Sequence, residues 1–414
     1  MSLSKRPMSR RPEVDAPPAE ERLIPLSQAF QDRFGRAPLG AAEAPGRVNL
    51  IGEHVDYNQG LVLPAAIDRS VLVAFAPRPD AEMRLYSLDF DEESRFSLAE
   101  PIGRDDAHPW SNYLRAVAWV LAEEGCSGPG LDLVVAGNVL IGAGLSSSAA
   151  LEVAALGALR AAWGLDLDDR RVALLAQRAE NEFVGVQCGI MDQFAAALAV
   201  ADHALLIDCR SLEYQQVPLP LAERGLALVV ADSGLPRRLE ESEYNRRREE
   251  CAEALRLLQA AMTGRRPGSL RDVSMADLEE HIACLPPALF RRARHVVGEM
   301  ERVGTGVDAL RRGDLEAFGG LMNASHASLR DDFEVSCPEL DRLTELAQGL
   351  SGVLGARLTG AGFGGCTVNL VQVEAVEAFR EQVVGRYSGE TGLAGRTYVC
   401  RAADGLRIWP LASH

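Results

Sequence analysis

Apolar positions along the chain change period several times. Residues 24–34 are apolar at helical spacing. Strand-like runs follow at 61–64, 71–76, 83–87 and 131–140, and a helical stretch, 113–124, lies before the last of them. Residues 146–163 are mostly Ala and Leu with no Pro, which predicts a helix. Asp168 is placed to cap a further helix reaching about Phe183. Residues 204–208 and 226–231 are short apolar runs and predict buried strands. An Arg- and Glu-rich helix is predicted from 242 to about 262, and helical periodicity continues to 350. The chain then returns to strands at 356–359, 366–371 and 397–401. Helices and strands mix without regular βαβ alternation, which predicts an α+β fold in packed layers. Pro218 and Pro220 break the pattern near its middle. The expected division is a disordered tail over 1–22, one domain over 23–215 and a second over 216–414.

Composition removes whole classes of function. The formal net charge of −16 argues against nucleic-acid binding, which needs a basic face. No apolar run approaches the ~20 residues of a membrane span. The first residues, MSLSKRPMSRRPEV, lack the apolar stretch of a signal peptide. The eight cysteines are dispersed with no C-x-x-C, so reduced thiols and a cytoplasmic location are expected. The seven histidines form no H-E-x-x-H pair, so no zinc site is expected. Lys5 is the only lysine, and it sits in the tail. A Walker-A loop, a protein-kinase strand lysine and Schiff-base chemistry are therefore excluded. Any phosphate must be held by arginine, backbone N–H groups, a helix start or a metal.

Four segments could carry chemistry. Gly142, Ala143, Gly144 and Leu145 form a turn after a strand, and Ser146, Ser147 and Ser148 open a helix. Such a helix start favours an anion, and three serines exceed what one N-cap requires. Residues 46–60 pack Arg47, Asn49, Glu53, His54, Asp56, Tyr57 and Asn58 together, a density that suits a polyhydroxylated ligand or a solvated turn. Residues 360–365, G-A-G-F-G-G, match G-x-G-x-x-G but precede a strand rather than a helix. A glycine hairpin is expected there, not a dinucleotide site. Asp192 begins an apolar helix, where an N-cap role is a sufficient explanation, and Glu180 lies on the helix before it.

Taken together, G-R-V-N-L-I-G-E-H-V-D-Y at 46–57, the serine-rich loop at 142–151 and L-T-G-A-G-F-G-G-C at 358–366 resemble the GHMP kinase family, and within it the galactokinases. R-A-R-H-V-V-G-E at 292–299 and S-L-R-D-D-F-E-V-S-C-P-E-L at 328–340 add to the resemblance, which covers about 25–405. It implies a two-domain α+β GHMP kinase fold of mixed sheets and helices with the active site in the interdomain cleft. It implies transfer of the γ-phosphoryl group of ATP, with Mg²⁺, to the C1 hydroxyl of galactose; a monomer is expected, with an oligomer as the alternative. By the same resemblance Asp192 is the catalytic base and Arg47 its partner. Glu53, His54, Val55, Asp56, Gly189 and Tyr244 bind the sugar. Residues 142–148 cradle the phosphates, Ser148 and Glu180 ligate magnesium, and Trp110 stacks on adenine. Two departures stand out. Leu140-Ile141 replaces the family's Pro before the glycine loop, and 232–239 read D-S-G-L-P-R-R-L where N-x-N is common. The second leaves a related amino or uronic sugar as an alternative substrate. A non-catalytic galactose sensor is the other alternative, and the intact serine loop counts against it.

Overall fold

The computed structural model describes residues 17–235 and 240–411. Lys5, most of the expected disordered tail and residues 236–239 of the unusual stretch lie outside the described residues.

The first sheet is built on two long strands, β1 (Gly40–Ile51) and β2 (Leu61–Pro77). With β3 (Glu82–Ser87), β4 (Glu92–Ser97) and β5 (Leu131–Gly137) it runs in the order β1-β2-β5-β3-β4, and only the β3–β5 pair is parallel. Strands β6 (His203–Asp208) and β7 (Tyr214–Pro218) extend it from the far end of β2. Nearly every residue of β1 and β2 is buried, because helices cover both faces. On one face, α1 (Ala19–Phe34) sets Leu23, Leu26 and Phe30 against Ala41, Leu72, Ala74 and Val134. The other face carries α2 (Asn112–Glu123), α3 (Ser147–Trp163), α4 (Asp169–Ala179) and α5 (Met191–Leu198). Asp168 caps α4 as expected, accepting from the Arg171 N–H.

The second sheet contains β8 (Leu226–Asp232), β9 (Val353–Thr359), β10 (Cys366–Gln372) and β11 (Arg396–Cys400), all antiparallel, in the order β11-β8-β10-β9. The helices between β8 and β9 are α6 (Glu240–Ala261), α7 (Met275–Glu280), α8 (Pro287–Arg312), α9 (Leu315–Ser328) and α10 (Pro338–Gln348). Leu228, Val230, Leu358, Val368 and Leu370 join the core shared with the first sheet. Val229, Ala231, Ala356 and Val371 face a smaller core with Phe379 and Tyr387.

Two expectations are corrected and one strand was not foreseen. Residues 19–22, placed in the tail, are the first turn of α1, fastened where Arg22 donates to the Ser70 hydroxyl at 2.7 Å. The boundary at 215/216 cuts through β7, which pairs with β6. The last described strand, β12 (Arg407–Pro410), returns to pair with β1. Its Ile408-Trp409 core was too short to register as a strand.

Helix α9 lies directly on β9. A Cβ at Gly319 would stand 2.3 Å from the Leu354 carbonyl oxygen, whereas one at Gly320 meets nothing within 4 Å. Gly319→Ala is expected to cost about 1–3 kcal/mol, and Gly320→Ala to be neutral or to add up to ~1 kcal/mol through helix propensity. Urea unfolding of the two variants checks this, and equal stabilities would show that the helix can retreat from the strand.

Candidate active site

Arg47 owes its aim to an irregularity in β1. The register with β2 shifts between Pro45 and Arg47, and such bulges redirect side chains. Arg47 donates through Nε to Asp192 Oδ1 at 2.8 Å and through Nη2 to Oδ2 at 2.7 Å. Its Nη1 donates to the Gly144 carbonyl at 2.7 Å. The guanidinium is buried, whereas 28% of the Asp192 side chain is exposed. The carboxylate is thus gripped from behind and open in front. Asp192 does not cap α5; its side chain turns to Arg47 and to Ser146, whose hydroxyl donates at 2.5 Å.

The loop between β5 and α3 alternates in handedness, with positive φ at Gly142, Gly144 and Ser146. The strand stops at Gly137, three residues earlier than expected, and α3 starts at Ser147 rather than Ser146. Ala143 and Leu145 point into the core, so from these positions only backbone faces the cleft. The start of a 17-residue helix beside them is suited to an anion. Ser148 hydrogen-bonds Glu180, which opens a single π-turn at the end of α4. Glu180 also accepts from Gln193 Nε2 at 2.7 Å and from the Cys188 thiol at 3.2 Å. Burial raises Glu180, and Asp192 adds to the effect. Glu152, one turn into α3, is raised further by burial and by Glu180, and its Oε1 has no partner.

The other half of the cleft follows β1. His54 has φ 62° and stacks obliquely on Tyr244, with ring centroids 5.6 Å apart. Its Nε2 donates to the Ala361 carbonyl at 3.1 Å, so Nδ1 accepts from the Tyr57 hydroxyl at 3.0 Å. Burial holds His54 down to about 3. Tyr57 and Tyr244 lie 5.4 Å apart beside Asp56, which burial pushes up to about 6. Gly189 is close enough that an added Cβ would fall 1.8 Å from Asp56 Oδ2. Both Glu53 oxygens are occupied by protein donors: Gly360 N–H on one, Asn49 Nδ2 and Arg357 Nη2 on the other. Burial raises Glu53 to about 7, with Arg357 and Arg47 pulling the other way. The 360–365 hairpin therefore docks the end of β1.

Two expectations change. Val55 is wholly buried under Gly60, so its side chain packs rather than binds. Trp110 is nearly buried, donates to Glu92 at 2.9 Å and stacks on Phe90, so Phe90 is the ring that reaches solvent there. Glu152 and Arg357 are not among the residues that the sequence singles out, and Gln193 and Cys188 carry no expected role there. An arginine in the apolar run of β9 was a signal that a carboxylate had to meet it.

Three family models match the chain: the galactokinase galactose-binding signature over residues 28–77, the GHMP kinases N terminal domain over 112–199 and the GHMP kinases C terminal over 307–388. Galactokinase from Roseiflexus sp. (strain RS-1) is 51% identical over 381 residues, covering 92% of this chain and 96% of that protein. Galactokinase from Chloroflexus aurantiacus (strain ATCC 29366 / DSM 635 / J-10-fl) is 48% identical over 384 residues, covering 93% and 97%. The crystal structure of Lactococcus lactis galactokinase complexed with galactose superposes with a TM-score of 0.89 at 37% identity, covering 94% of this chain and 100% of that one.

Folding favours the protonated form of Glu152, so its contribution to stability is present at low pH and lost as pH rises. Glu152→Gln removes that titration. In metal-free protein without nucleotide, the variant should therefore gain on the wild type between pH 5 and pH 8 in urea unfolding. Parallel stability curves would show that the Glu152 proton affinity is ordinary.

Proposed function

The chain belongs to the galactokinase family of GHMP kinases, and from that premise we propose how its residues transfer the γ-phosphoryl group of ATP to the C1 hydroxyl of galactose, giving galactose 1-phosphate and ADP. The observation that carries the reading is the Asp192 carboxylate, gripped by both arms of Arg47 and by Ser146 yet open to the cleft. A carboxylate so fixed can align the sugar hydroxyl and accept its proton as the O–P bond forms. Arg47 also holds the Gly144 carbonyl, so the base and the phosphate loop form one rigid unit. The charge of the transferred group falls between the α3 start and the Arg47 guanidinium. Phosphoryl transfer needs mainly such positioning and neutralisation.

On the sugar side, Asp56 accepts from hydroxyls, and the rings of His54, Tyr57 and Tyr244 wall the pocket. Gly189 leaves room where any side chain would displace the Asp56 carboxylate. The residues present suit magnesium. Ser148 and Glu180 offer hard oxygens on facing elements. When bound, the ion would offset the negative charge of the phosphates. Eight free cysteines suit a reducing compartment, and we place the protein in the cytoplasm. No described helix is long and apolar enough to cross a membrane.

A panel of galactose, galactosamine and galacturonate with ATP and Mg²⁺ tests the substrate. Galactose should be turned over fastest, and faster use of an amino or uronic sugar would replace it. Asp192→Asn should lose roughly 10²–10⁴ in kcat while keeping galactose affinity; unchanged turnover would remove Asp192 from the mechanism. Ser148→Ala should raise the magnesium needed for half-maximal rate by about tenfold, and a normal magnesium titration would sink that assignment.

A further inference from the structure

The sugar loop at 52–54 is held by a helix that carries none of the residues assigned to the site. Glu299, wholly buried in α8, accepts from the Gly52 N–H at 2.9 Å and from the Glu53 N–H at 3.4 Å. The same oxygen accepts from the Ser325 hydroxyl at 2.6 Å, and the other takes Arg302 Nε at 2.6 Å. One turn earlier, His295 Nε2 lies 3.1 Å from the Glu53 carbonyl. A carbonyl can only accept, so that nitrogen carries the proton and Nδ1 accepts from the Ser328 hydroxyl at 2.9 Å. Burial keeps the His295 ring neutral by pushing it down to about 4. Burial alone would raise Glu299, but the Arg302 and Arg357 guanidiniums and the Ser325 hydroxyl hold it down to about 2. Phe333 contacts both imidazoles, with centroids 4.6 Å from His295 and 4.8 Å from His54.

The loop needs this support. His54 is a non-glycine residue in the left-handed region, a conformation that persists only when its surroundings hold it. The peptide N–H and C=O of Glu53, immediately before it, are both fastened to α8. Asp56 and Tyr57 follow within three residues, so a shift at 53 is passed directly to the groups that face the sugar. The phosphate side is fastened separately, by Arg47 to Asp192 and Gly144.

We propose that His295 and Glu299 are positioning residues for sugar discrimination: they fix the backbone at 52–54, and through it the His54 ring and the Asp56 carboxylate, without touching substrate themselves. This rests on the galactose reading of the 46–60 segment, and wild-type turnover of galactose separates the two claims. Without that turnover the substrate reading fails; with it, the variants judge the positioning role.

His295→Phe keeps a ring and removes the donor to Glu53. The KM for galactose should rise about tenfold, with the KM for ATP within twofold of wild type and discrimination against glucose, the C4 epimer, weakened. His295→Gln can donate from nearly the same place and should restore most of the galactose KM. Two results would overturn the role: galactose and ATP constants that rise together, or a galactose KM that stays put while only Tm falls. If His295→Phe does not fold, Glu299→Gln is read by the same split. It keeps an acceptor for Gly52 and removes the charge that holds Arg302, so a selective rise in galactose KM is again expected and its absence overturns the proposal.

Discussion

Four charged side chains, Arg47, Glu53, Glu299 and Arg357, are withdrawn from water where the two sheets meet, and each has to find its partners there. Ionised groups in such a place are tolerated only when paired and hydrogen-bonded. Arg357 meets Glu53 and the Asn49 carbonyl, Glu299 meets Arg302 and two loop N–H groups, and Arg47 meets Asp192. Most of these bonds run between the first sheet and the elements of the second. The domains therefore cannot part without stranding buried charge, and the cleft is a product of their union.

The two halves of the cleft solve opposite problems. Backbone can meet an anion, and the proposed phosphate side combines positive-φ residues with a helix start, with Ala143 and Leu145 turned inward to anchor it. A polyhydroxylated ligand must be met by side chains in fixed directions, and on the proposed sugar side Asp56, His54 and two tyrosines are gathered around Gly189. Fixing those directions requires a second tier of bonds. The glycine hairpin after β9 and the buried face of α8 supply it, which gives physical meaning to two segments that otherwise read as a turn and an ordinary amphipathic helix.

Local signals made much of this molecule legible in advance. The serine-rich helix start, the dense polar run after Gly46, the Asp168 cap and the hairpin at 360–365 each depend on neighbours a few residues away, and each lies where the residue pattern placed it. With Lys5 as its sole lysine, the chain leaves backbone N–H groups, arginine or a metal as the means of holding phosphate.

What the chain could not disclose locally is every contact whose partners are remote in sequence. Arg47 and Asp192 are 145 residues apart, and only the family resemblance coupled them before the fold did. Arg357 in the apolar run of β9 called for a carboxylate but not for Glu53 in particular, and the contact of His295 with the Glu53 carbonyl and the return of β12 to β1 had no local signature at all. Trp110 and Val55 fit their expected roles by position, but their burial and bonding turned them inward. The sequence by itself determined the chemistry available at each end of the cleft, because residue type and short-range spacing set donors, acceptors and helix starts. The tertiary structure alone decided which of those groups are desolvated together, because pairing and proton affinity depend on partners that only folding brings within reach.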